Sequence, residues 1–113
     1  MRWTEWRLIA DRQSSYVESC DWDGPACYEL ATGGVRGGRI QPHYVGETLN
    51  ERRRIESYAV HGSHLRSIID DHLHRGWFLY YRAVSCDSKR QAKALQDRLL
   101  ARFDYDWNDL LNR

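Results

Sequence analysis

Two prolines in 113 residues, three cysteines without paired spacing, a net charge of only +1 and no apolar run of bilayer length set the first limits on this chain. So little proline argues against a disordered tail. Cys20, Cys27 and Cys86 form neither a CxxC pair nor a Cys/His ligand pattern, which leaves disulfides and structural zinc unsupported and points to buried or idle thiols. The five histidines close no ligand set: His61 precedes a glycine three residues before His64, and His72 and His74, two apart, splay to different faces of a helix. The near-neutral balance argues against a protein that coats nucleic acid by bulk attraction. Met1-Arg2-Trp3-Thr4-Glu5 lacks the apolar core of a signal peptide, and with no spanning segment the expectation is a cytoplasmic protein without a membrane partner.

What is present is enough for a core: 42% hydrophobic residues, five tryptophans and seven tyrosines, in a length that suits one domain. The order of patterns is strand, strand, helix, helix, strand, helix, which predicts an α+β domain with a small, mainly antiparallel three-stranded sheet. Tyr28 and Leu30 belong to the first strand, the glycine-rich stretch 33–38 turns it, and Ile40 to Val45 returns; Pro42 weakens that return strand or puts it at an edge. A helix from a Ser63 cap to Arg75 closes on Gly76, Trp77 to Val84 forms the third strand, and Ser88-Lys89-Arg90-Gln91 opens a helix running to about Phe103. The tail with Tyr105, Trp107, Leu110 and Leu111 packs back on the domain, whereas the first 23 residues show no pattern.

The densest chemistry lies around Tyr44-Val45-Gly46. A strand ends in a phenol, a glycine lets the chain turn, and a helix opening at Thr48-Leu49-Asn50-Glu51, a capping-box pattern, carries Arg52, Arg53 and Arg54. Such a corner suits a polyanion. Between Val35 and Ile55 five arginines face two glutamates. Arg36 and Arg39 sit in the glycine loop, where they either follow a nucleic-acid backbone or form an ordinary solvated turn. On a helical wheel with Arg54 at zero, Tyr58 falls near about 40°, Ile55 near about 100° and Arg53 near about 260°. Arg54 thus borders the apolar stripe and can reach inward as a phosphate ligand; Arg53 points outward, suited to general backbone contacts, and Arg52 is ambiguous.

These residues resemble the GIY-YIG endonucleases. The Gly-Ile-Tyr strand of that family corresponds to the variant Ala26-Cys27-Tyr28, its Tyr-Ile-Gly to Tyr44-Val45-Gly46, its arginine ten residues after the second tyrosine to Arg54, and its late asparagine to Asn108. The resemblance covers roughly residues 25 to 108 and leaves residues 1–24 as an N-terminal extension of one domain. It implies metal-assisted hydrolysis of a DNA phosphodiester with Mg2+ or Mn2+. In that scheme a helix carboxylate holds the ion, Arg54 offsets transition-state charge, Tyr44 or Tyr28 positions and deprotonates the water, and Tyr58 assists. The stretch Ala94-Leu95-Gln96-Asp97 matches the family's glutamate helix, with Gln96 in the place of the metal-binding glutamate. Arg36, Arg39, Arg52, Arg53 and Asn108 are the expected DNA contacts, Asn108 serving alternatively to hold local structure. With Ala92 at zero, Gln96 falls near about 40°, inside a stripe with Leu99, Phe103 and Leu100, so it is either a buried amide or a site residue facing Tyr28, Tyr44 and Arg54. The favoured reading is an endonuclease, present here as an inactive Glu-to-Gln form or with the change compensated elsewhere; the alternative is a catalytically silent DNA-binding module derived from one.

Overall fold

A computed structural model describes residues 2–11, 22–34, 39–59 and 64–111. Its centre is strand β2 (Ala26–Gly33), buried along its whole length. Apolar side chains on both faces of one strand require a layer on each side of the sheet. β2 pairs antiparallel with β3 (Ile40–Thr48) and with β4 (Phe78–Ser85), and β4 pairs with β1 (Arg7–Ala10). The sheet therefore has four strands in the order β1-β4-β2-β3, one more than the sequence predicts. The added strand comes from the N-terminal segment: Leu8 pairs with Tyr80, and Ile9 is fully buried. Trp3 and Trp6 flank the Arg82 guanidinium at 4.7 and 4.6 Å, and Arg82 in turn holds the buried Glu29 at 2.5 Å.

One face of the sheet packs Tyr28, Leu30 and Tyr44 against α1 (Glu51–Ala59), α2 (Arg66–His74) and Trp107 of α4 (Asp106–Leu111). The other packs Cys27, Val45 and Val84 against Ala92, Leu95 and Leu99 of α3 (Lys89–Arg102). The buried stripe of α3 is thus centred on Ala92, Leu95 and Leu99. Phe103 lies beyond the helix end and is exposed, as is Leu100, and Gln96 falls at the margin, half-buried.

β3 is the outer strand, which is how it accommodates Pro42. A bulge places Leu30 opposite Tyr44 and Ala31 opposite Pro42, so His43 is the extra residue. His43 turns inward, stacks on Trp107 with ring centroids 4.7 Å apart, donates from Nδ1 to Asp106 at 2.8 Å, and meets Thr32 Oγ1 through Nε2 at 2.7 Å. This chain ties α4 to the hairpin. The sequence gives α4 only as a tail that packs back; the structure makes it a short helix over the edge of β3.

Two local expectations change. α1 begins at Glu51, and its cap is Asn50, whose Oδ1 accepts from Arg53 N–H at 3.0 Å; Thr48 ends β3 and its hydroxyl accepts from Asn50 N–H instead. The cap proposed at Ser63 lies outside the described residues, and α2 starts after Leu65 without a side-chain cap. Gly76 does close that helix, at φ +90. The capping box at the start of α3 forms, Ser88 Oγ accepting from Gln91 N–H while Gln91 Oε1 reaches back to Asp87 N–H. Among the described residues no helix is long and apolar enough to cross a membrane.

Candidate phosphate-binding corner

Tyr28 sits on β2 directly opposite Gly46 of β3. A Cβ on Gly46 would lie 2.5 Å from the Tyr28 hydroxyl oxygen and 2.6 Å from its ring. The glycine is therefore needed inside a strand, where it makes room for the Tyr28 ring, and not for the turn that the sequence reading gave it. With that space, Tyr28 lies flat under α1: its hydroxyl is 2.5 Å from that of Tyr58, and the rings are 5.9 Å apart. Tyr44, one position from Val45 and so on the opposite face from α3, stands 6.2 Å from Tyr28 between ring centroids.

Arg54 completes the cluster. It is half-buried on α1 against the Tyr28 and Tyr58 hydroxyls, as its wheel position predicts. Arg53 is exposed, and Arg52 pairs with Asp23 at 3.3 Å. His64 closes the mouth: its Nε2 is 3.3 Å from the Tyr44 hydroxyl, and its ring meets Tyr44 edge-on.

Burial raises the pKa of Tyr28 and Tyr58; Tyr58 and Tyr44 add to the shift of Tyr28, whereas for Tyr58 the push from Tyr44 is opposed by the Tyr28 hydrogen bond and by Arg54, and both phenols stay neutral near pH 7. Tyr44 is also raised by burial, although Arg54 opposes the shift. Tyr28 is 0% exposed with its hydroxyl engaged, so it cannot touch a water or a phosphate; its part is to hold Tyr58 and Arg54. Tyr44 faces a proton acceptor: burial, then Arg54, lowers the pKa of His64, which leaves a neutral imidazole. The corner thus presents a guanidinium and a hydroxyl backed by an imidazole, a set that binds one anionic oxygen and can hand on one proton.

Of the other expected residues, Asn108 is brought in as a brace. Val45 N–H donates to its Oδ1 and its Nδ2 donates back to the Val45 carbonyl, each at 2.9 Å, so its amide takes the place of a neighbouring strand. Arg39 is exposed where β3 begins, five residues or about 16 Å of strand from Tyr44, and does not join the corner. Arg36 lies outside the described residues. Gln96 is not in the tyrosine cluster, because α3 packs on the other face of the sheet. The reading in which it faces Tyr28, Tyr44 and Arg54 across a shared core does not hold.

His64 escaped the sequence reading because nothing local marks it: the contact with Tyr44 joins positions 20 apart. Cys27 and Cys86 are free and buried, and burial pushes the Cys27 thiol up to about 12, which makes it inert. Cys20 lies outside the described residues.

Residues 24–113 match the family described as GIY-YIG domain-containing protein. The chain belongs to the GIY-YIG family. β1 lies ahead of the matched region. The chain is also similar to two curated proteins of Arabidopsis thaliana. It is 28% identical to Protein EFFECTOR OF TRANSCRIPTION 2 over 112 positions, covering 74% of this chain and 23% of that protein. It is 30% identical to Protein EFFECTOR OF TRANSCRIPTION 3 over 95 positions, covering 75% of this chain and 35% of that protein. The chain therefore spans about a quarter to a third of the length of these relatives. No solved structure matches it significantly.

GIY-YIG nucleases generally use divalent metal ions. The donors here do not fit one. Hard cations select anionic oxygens, and among the described residues no group of three His, Cys, Asp or Glu side chains converges.

Proposed function

We propose that this domain is a DNA-binding module built on the GIY-YIG nuclease fold, which grips a backbone phosphate at Arg54 and Tyr44 and leaves it largely uncut. One observation carries this: the guanidinium and phenol corner is fully assembled on one face of the sheet, while Gln96, which by motif resemblance stands for the family's glutamate, is an uncharged amide on a helix packed against the other face. Arg54, held by Tyr28 and Tyr58, supplies the fixed cation; the Tyr44 hydroxyl donates to a phosphate oxygen while its own oxygen accepts from the Nε2–H tautomer of His64. The relatives' names, effectors of transcription, support a domain that engages DNA without destroying it.

A second reading, an active endonuclease, is favoured by the Tyr44 and His64 pair, which gives the site a proton acceptor independent of any carboxylate. Binding of single-stranded, duplex and branched DNA in chelator, beside nicking assays with magnesium or manganese, separates the two. The expected result is binding without appreciable cleavage. Arg54→Ala should weaken that binding about ten-fold, and its salt slope should fall by about 1. Robust nicking by the unaltered chain selects the endonuclease, and no binding to any DNA ends both readings.

A further inference from the structure

Beside the corner, and sharing Arg54 with it, lies a cleft of about 300 Å³ between α1 and the start of α3. Its wall brings together Glu47, Leu49, Arg53, Arg54, Ser57 and Lys89. Three cations therefore face one carboxylate. Among the described residues neither Arg53 nor Lys89 meets an acidic side chain within ion-pair distance, so both charges remain available to a ligand. The amides at the start of α1 are already engaged: Glu51 N–H and Arg52 N–H donate to the carbonyls of Gly24 and Trp22, and Arg53 N–H to Asn50. The attraction for an anion comes from the side chains alone.

The cleft also lacks a donor. Glu47 lines the cleft, and one of its carboxylate oxygens is buried with no hydrogen-bond partner, a costly state for such a group. At its lip, Leu49 is 60% exposed. The complementary ligand carries an anionic group for the cations, an N–H or O–H for Glu47, and an apolar face for Leu49. A nucleotide has all three: a phosphate, a sugar hydroxyl or base amino group, and a flat base. The volume is at the small end of ligand pockets and admits one such unit, whereas a base-paired duplex cannot enter.

We propose that this cleft is a subsite for one unpaired nucleotide, with its phosphate on Arg53 and Lys89, a donor on Glu47 and its base against Leu49. The inference deepens the reading that the Arg54 and Tyr44 corner grips nucleic acid, and makes the preferred substrate a single-stranded or frayed segment. It also gives Lys89 a role: Ser88 caps α3 and thereby sets its first residue, Lys89, at the cleft.

The test is an amide chemical-shift titration of the whole chain with deoxycytidine 5′-monophosphate, deoxycytidine and inorganic phosphate, followed by binding of a short single-stranded oligonucleotide. The nucleotide should shift amides of residues 47–57 and 89 and bind at least ten-fold more tightly than phosphate or the nucleoside. Lys89→Ala, an exposed change that spares the core, should weaken nucleotide and oligonucleotide about ten-fold and lower the salt slope by about 1. Absent shifts at the cleft, equal affinity for phosphate and nucleotide, or an unaffected Lys89→Ala variant would each overturn the proposal. The two ideas fail separately: oligonucleotide binding lost in Arg54→Ala but unchanged in Lys89→Ala removes the cleft and keeps the corner, whereas nucleotide shifts confined to the cleft in a chain that binds no oligonucleotide keep the cleft and remove the corner.

Discussion

Gly46 shows how a motif position can be conformationally ordinary and still demand glycine. It sits within β3, and only its missing Cβ lets Tyr28 lie across the strand pair. Tyr28 cannot move aside, because it is fully buried and bonded to Tyr58. Gly46→Ala should therefore cost about 1–3 kcal/mol in urea unfolding, the usual scale of overpacking, and should disturb the Arg54 corner before it unfolds the chain. His64 carries the pH dependence of the mouth. Its folded pKa lies below the unfolded value, so in the interval between the two the unfolded chain binds the extra proton, and stability falls as pH falls through that interval, from about 6.5 downward. The urea midpoint followed over that interval should decline with acid, and His64→Gln should decline less. An identical decline in both proteins would show that the imidazole is not desolvated as its place beside Tyr44 and Arg54 requires.

At the scale of elements, α4 acts as a substitute strand. The Asn108 amide satisfies both outward groups of Val45, and the chain of Thr32, His43 and Asp106 holds the helix in place. Asn108→Ala leaves a donor and an acceptor at the sheet edge with no protein partner, at a cost of about 1–3 kcal/mol for each group that water cannot reach. Amide exchange at Val45 should accelerate well before global unfolding, while exchange at Cys27 in the central strand should change only with overall stability. Elements were legible where their signal is local. The glycine loop marks the β2–β3 hairpin, β4 alternates over most of its length, α1 and α3 announce themselves by charged wheels, and Gly76 marks its own helix end. β1 was not legible because four residues with one buried pair show no period, and their partner β4 is some 70 positions away. The hydroxyl and carboxylate pattern at Thr48 was real chemistry misplaced by two residues, since Asn50 competes for the same role and wins by lying next to the helix. The tyrosine corner was legible as an ordered set of landmarks; the His64 contact and the cleft at Lys89 were not, because both arise only when α2 and α3 are folded against distant segments.

For the molecule as a whole, the question is what a single charge on α3 does to a site built on the other face of the sheet. Gln96 is half-buried two helical turns, about 10 Å, beyond Lys89, whose side chain reaches the cleft shared with Arg53 and Arg54. A carboxylate at position 96 would supply the anionic oxygen that hard divalent ions select and the present amide lacks. Gln96→Glu should therefore confer magnesium- or manganese-dependent nicking on a domain that otherwise binds DNA and leaves it intact. The same change should weaken DNA binding in chelator, because it adds a negative charge near the phosphates. The two effects have opposite signs, which a general loss of folding cannot imitate. Side-by-side nicking of both proteins across a metal titration, with binding measured in chelator, is the measurement. Nicking at equal rates would show that charge at position 96 is irrelevant to the chemistry. A Gln96→Glu protein that folds, binds more weakly and still cuts nothing would show that the separation of α3 from the tyrosines across the sheet, and not the missing charge alone, keeps this domain silent.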